Sequence, residues 1–99
     1  MNGYILLMHN DVLDTGETNY SWDSYLNKLR ESGSLSGGSA IGEGICVNKA
    51  GLASPITAHL AGYIIVQAMN LNEAKKLVAG NPVFEAGGTV EIRELPRTN

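Results

Sequence analysis

Gly80-Asn-Pro-Val-Phe-Glu-Ala-Gly-Gly-Thr-Val-Glu-Ile-Arg-Glu-Leu-Pro96 is the stretch whose reading decides the fold. Gly80 stops an apolar helical pattern, and Asn81-Pro82 sets a turn because the residue before proline avoids the helical region. Gly87-Gly88 makes a tight corner, and Thr89 to Leu95 then reads as a strand. In that strand Val90 and Ile92 point one way, and Thr89, Glu91 and Arg93 the other. A helix that hands over to such a half-buried strand needs a sheet already formed upstream.

Working back from Gly80, Leu71, Ala74, Leu77 and Val78 form the apolar stripe of a helix, with Lys75 and Lys76 on its wet side. Asn70 is placed to cap it, with Glu73 three residues on in a variant of the capping box. Before the cap runs Gly62-Tyr-Ile-Ile-Val-Gln-Ala-Met69, and near the start runs Tyr4-Ile-Leu-Leu-Met8. Both are almost continuously apolar, which predicts strands covered on both faces. Between them, Trp22, Leu26 and Leu29 recur at helical spacing with Tyr25 beside them, predicting a helix over residues 20–32 that ends at Gly33.

The remaining segment is harder to place. Ser34 to Gly44 is rich in glycine and serine, but it follows a helix and lacks both GxGxxG spacing and a Gly-Lys-Ser/Thr ending. A bent edge strand or bulge therefore fits it better than a phosphate loop. Ile45-Cys46-Val47 reads as a strand, with Cys46 a buried, inert thiol. Asn48 to Gly51 reads as a turn, and Pro55 marks an irregular segment.

The order strand, helix, one or two strands, strand, helix, strand gives an α+β class. It is the ferredoxin-like split βαβ pattern, an antiparallel sheet with two helices on one face. The whole chain, residues 1–99, reads as one domain, since this length leaves no room for a second core. The helix-free face would be apolar and bare in a monomer, so a homodimer is expected.

Composition narrows the function classes. An apolar share of 43% with 17% charged residues argues for a folded globular chain. A net charge of -3 with no basic stripe argues against nucleic acid. No apolar run reaches the ~20 residues of a membrane span. The single cysteine forms no intrachain disulfide and fits a cytoplasmic location.

These residues resemble the YCII-related family, whose members include the DGPF-domain proteins. The likeness lies in the Tyr4–Met8 strand, Trp22-x-x-Tyr25-x-x-x-Leu29 ending at Gly33, and Leu60-Ala-Gly-Tyr-Ile-Ile65. It continues in Leu71-x-x-Ala74, Asn81-Pro82, and Gly87-x-x-Val90-Glu-Ile-Arg-Glu94. The resemblance implies a dimeric α–β barrel with a cleft at the sheet face, in a family most of whose members have no established activity. Some relatives pair a first-helix His with an Asp before a Pro. Here the first helix has no His and Asn81 precedes Pro82, so that pair is not carried over; Asp-Gly-Pro-Phe itself is absent as well.

The first functional expectation is a homodimer binding a small polar molecule in a cleft at the sheet or dimer face. One alternative is an enzyme on a small polar metabolite, with His59 as acid or base and Arg93 reading a carboxylate through its fork. Another is a protein-interaction module, suggested by the link of DGPF relatives to alternative sigma factors. The candidate catalytic residue is His59, and the candidate ligand-binding residues are Arg93, Glu91, Glu85, Asn81, His9 and Ser39. Each has a structural reading too: His59 and His9 as strand-end histidines bonded to backbone, Glu91 and Arg93 as an ion pair, and Asn81 as a turn residue. Ser39 lacks the Gly-x-Ser-x-Gly elbow of an activated serine. No metal or cofactor is expected, because His9, Asp11, Asp14 and His59 follow no metal-ligand spacing.

Overall fold

The computed structural model describes residues 1–12, 20–52 and 54–97. Its elements in chain order are β1 (Asn2–His9), α1 (Trp22–Glu31), β2 (Leu35–Ala40), β3 (Leu60–Ala68), α2 (Leu71–Lys76), α3 (Pro82–Glu85) and β4 (Val90–Leu95). The four strands form an antiparallel sheet in the order β2-β3-β1-β4. This is the ferredoxin-like arrangement, α+β in class, and the molecule is 20 Å deep in its thinnest direction. That depth matches two layers, one of sheet and one of helices.

Alternation along the strands sets the two faces. Tyr4, Leu6 and Met8 of β1 and Ile64, Val66 and Ala68 of β3 are buried, and they meet Tyr25 and Leu29 of α1, Ala74 of α2 and Val78. Val90 and Ile92 pack against this cluster, on the side expected for them. Ile5, Leu7, Tyr63 and Ile65 lie on the other face, half-exposed and with none of the described helices over them.

The caps follow the sequence closely. Ser21 accepts the Ser24 N–H at 3.1 Å and opens α1, so the helix starts two residues later than the spacing alone predicts. Gly33 ends it at φ +76°, with Ser34 N–H to Leu29 O and Gly33 N–H to Arg30 O completing a Schellman turn. Asn70 caps α2 through Glu73 N–H. The Glu73 carboxylate accepts from Lys76, where a full capping box would have it answer the Asn70 N–H.

The glycine-serine segment is the edge strand β2, and its register shifts between Leu35 and Gly37. A Cβ added at Gly38 would stand 2.7 Å from the Tyr63 carbonyl oxygen. Only glycine lets the two backbones approach this closely.

Three expectations need correction. Ile45-Cys46-Val47 forms no strand; Ile45 and Val47 are each 84% exposed and Cys46 is exposed. β-Propensity reflects packing against sheet neighbours, and residues 45–47 pair with none of the described strands. Trp22, the first apolar position of the helical spacing, is 39% exposed, and Tyr25 and Leu29 hold the buried positions of α1. Finally, Asn81-Pro82 does more than turn the chain, because it opens the short helix α3, with Pro82 at the favoured first position. Among the described residues, no helix is long and apolar enough to cross a membrane.

Candidate functional site

The antiparallel order brings three chain ends together at one rim of the sheet: the end of β1, the approach to β3 and the start of β4. Backbone bonds fix them there. His9 N–H donates to Thr89 O at 2.9 Å, and Asn10 N–H donates to His59 O at 2.8 Å. The Asn10 amide also donates to Ala58 O at 3.0 Å. Asp11 accepts the Thr89 N–H at 2.8 Å and the Thr89 hydroxyl at 2.6 Å. These two bonds hold its carboxyl below the ordinary carboxylate range, the hydroxyl being the larger cause.

On this frame sits a connected polar cluster. His9 Nε2 lies 2.9 Å from Glu91 Oε1, and Arg93 donates to Glu91 Oε2 at 3.2 Å. The His59 ring meets the His9 ring edge to face, with centroids 4.7 Å apart and planes at 72°. The His9 side chain is 19% exposed and that of Glu91 35%, while His59 and Arg93 are exposed. The bond from His9 is the main cause, and the Arg93 bond the next, of the lowered pKa of Glu91. Glu91 is therefore ionised at neutral pH and can only accept, so the proton of that bond belongs to His9 Nε2, and in the corresponding neutral tautomer Nδ1 carries the lone pair. A carboxylate that fixes an imidazole tautomer in this way prepares it for acid–base work or for ligation.

The expected site residues divide in two. His59, His9, Glu91 and Arg93 come together; Glu85, Asn81 and Ser39 do not join them. Glu85 accepts the Gly80 N–H at 2.9 Å, closing the link between α2 and α3. Asn81 is fully buried, and its Oδ1 accepts Val83 N–H and Phe84 N–H. Ser39 donates to the neighbouring Ala40 carbonyl on the edge strand. Asp14 lies outside the described residues. The pairing of His9 with Glu91 spans 82 positions and has no local signature. The signal lay in topology: β4 beside β1 with alternating side chains puts Glu91 on the face of Leu7 and His9.

On the opposite, helix-covered side a groove of about 600 Å³ opens beside β2, where Gly38 and Ala40 offer little side chain to fill it. Met8, Trp22, Leu26, Ile64 and Val83 give it mainly apolar walls. No cluster of polar groups converges in it comparable to the one at the sheet rim.

No curated protein matches this chain. The family model of the YCII-related domain matches residues 14–99, a span that holds His59, Glu91 and Arg93 and begins after His9. The chain belongs to the YCII-related family.

Proposed function

We propose that this chain is a homodimeric protein that binds a small polar molecule at the His9–His59–Glu91–Arg93 cluster, on the rim of its helix-free sheet face. The observation that carries the reading is the convergence of these four side chains from three strand ends. Two imidazoles, a carboxylate and a guanidinium together offer both donors and acceptors to a polar ligand. The dimer part of the reading is supported by the half-exposed Ile5, Leu7, Tyr63 and Ile65 on that face. It is also supported by the exposed residues 41–52 and 54–59, of which Ile45, Val47 and Leu52 are each more than four-fifths exposed. A second copy would cover such apolar surface.

A second reading, an enzyme on a small polar metabolite, is favoured by one observation, the His9–Glu91 bond. It moves the acid–base role from His59 to His9, whose free Nδ1 can take a proton while Glu91 steadies the ring. It also moves Arg93 from a free anion anchor to a partner of Glu91.

NMR titration of the two imidazoles with a panel of small carboxylates and phosphates tests the binding reading. A ligand that shifts both rings, and whose effect His9→Ala abolishes, is the expected result. No shift from any member would overturn it. Sedimentation equilibrium tests the dimer, with a monomer at all concentrations counting against it.

A further inference from the structure

We propose that His9, His59 and Glu91 form a mononuclear site for a divalent transition metal ion of the zinc class. One donor atom from each of the three lies within 4.8 Å of the others. A tetrahedral zinc with bonds of about 2.0–2.1 Å needs donors about 3.3 Å apart. His9 and Glu91, at 2.9 Å, already stand near that spacing. His59 has to close by roughly 1.5 Å at most, and it is exposed, so rotation of its side chain meets little resistance.

The donor set chooses the metal. Two imidazoles and one carboxylate suit zinc, cobalt or nickel, whereas calcium and magnesium call for all-oxygen shells. The frame is independent of the ion, since the backbone bonds of His9 to Thr89 and of Asn10 to His59 already fix the strand ends. Arg93 holds Oε2 of Glu91 and leaves Oε1 turned toward the histidines, the outer contact that orients a ligating carboxylate. In the ion-free state the His9–Glu91 hydrogen bond occupies the place of the metal. On binding, the Nε2 proton is released to solvent while Nδ1 takes one up, so the His9 ring changes tautomer, stays neutral and turns its Nε2 lone pair to the metal.

This inference rests on the binding reading and deepens it. A dication facing one carboxylate and two neutral rings keeps a net positive charge, and Arg93 adds to it. The fourth coordination position therefore favours an anionic oxygen donor such as a small carboxylate or phosphate.

Untagged, metal-free protein titrated with Zn2+ by calorimetry, and with Co2+ followed by its visible spectrum, tests the site. One ion per chain is expected, with the intense bands of a tetrahedral cobalt centre. His59→Ala, His9→Ala and Glu91→Gln should each weaken binding by more than the ~10–100-fold typical of an outer-contact change, while Glu94→Gln leaves it unaltered. Because His59 is exposed, its variant tests the site without disturbing the core. Failure of the wild type to bind, or equal binding by His59→Ala, would overturn the metal site. The same anion panel run on metal-free and on zinc-loaded protein separates the two readings. Ring shifts without any metal affinity sink the metal inference alone, and metal affinity with no response to any polar molecule sinks the binding reading.

Discussion

The two faces of one strand behave as different materials. Along β1, Tyr4, Leu6 and Met8 are 2%, 0% and 4% exposed, while their neighbours Ile5, Leu7 and His9 stay half-exposed. The first set is satisfied by this chain's own helices. The second is apolar at its centre and polar at its rim, and none of the described helices lies over it. The polar residues divide the same way. On the helix side Asn81 and Glu85 tie backbone N–H groups into caps and turns, whereas at the rim of the other face His9, Glu91 and Arg93 bond chiefly to one another. One face holds the fold, and the other carries the polar cluster at which we propose a ligand binds.

The sharpest way to break this contrast is to cut the same kind of side chain on each face. Leu29, 1% exposed in the core, should cost about 2–5 kcal/mol on truncation to Ala, read by denaturant unfolding. Leu7→Ala on the open face should cost the folded chain clearly less. Equal losses would mean that the open face is packed in a way a single chain does not account for.

Charge on the open face comes next in size. Leu7→Lys places an ammonium where the proposed partner copy would sit, and a central interface position of this kind is worth about 2 kcal/mol or more. Sedimentation equilibrium should show a weakened dimer, with the circular dichroism spectrum of the wild type retained. An unchanged dimer would move the interface elsewhere.

How far all this is legible in the sequence depends on the range of the cause. The nearly continuous apolar runs of β1 and β3, the alternation in β4, the Asn70 cap, and Gly33 and Gly80 at φ +76° and +89° are local signals, and they point directly to the ferredoxin-like order. The helix α3 was not readable, since four residues make little more than one turn and show no periodicity. Ile45-Cys46-Val47 misleads because propensity says which residues tolerate a sheet but not whether a strand pairs with them. His59 and Arg93 were candidates by residue type. Their assembly with His9 and Glu91 depends on strand register, which no short window contains.

A smaller effect separates structural polar groups from functional ones. Asn81→Ala removes the oxygen that receives Val83 N–H and Phe84 N–H, and should cost about 0.5–2 kcal/mol, as for other helix caps. Once folded, the variant should bind metal and small anions as the wild type does, whereas His9→Ala should show the reverse pattern. Loss of binding in both would join the two faces into one site.

The smallest of these effects concerns Tyr25, 3% exposed on the buried side of α1. Its hydroxyl donates to Leu77 O at 2.7 Å and ties α1 to the end of α2. Burial is the main influence on the phenol and raises its pKa, with the Asn81 side chain offsetting part of the rise. A group with a raised folded pKa contributes stability that is complete below its unfolded value, about 10 for tyrosine, and is lost as pH climbs through the folded one. Tyr25→Phe should therefore cost about 1 kcal/mol at neutral pH, the net worth of one hydrogen bond. Above pH ~10 the wild type should lose stability more steeply than the variant, and the gap between them should narrow. Parallel unfolding curves through that window would mean that the phenol ionises as freely in the folded chain as in the unfolded one. The helix-covered face would then be wetter at Tyr25 than its burial indicates, and the contrast between the two sides of the sheet would weaken at the point where α1 meets α2.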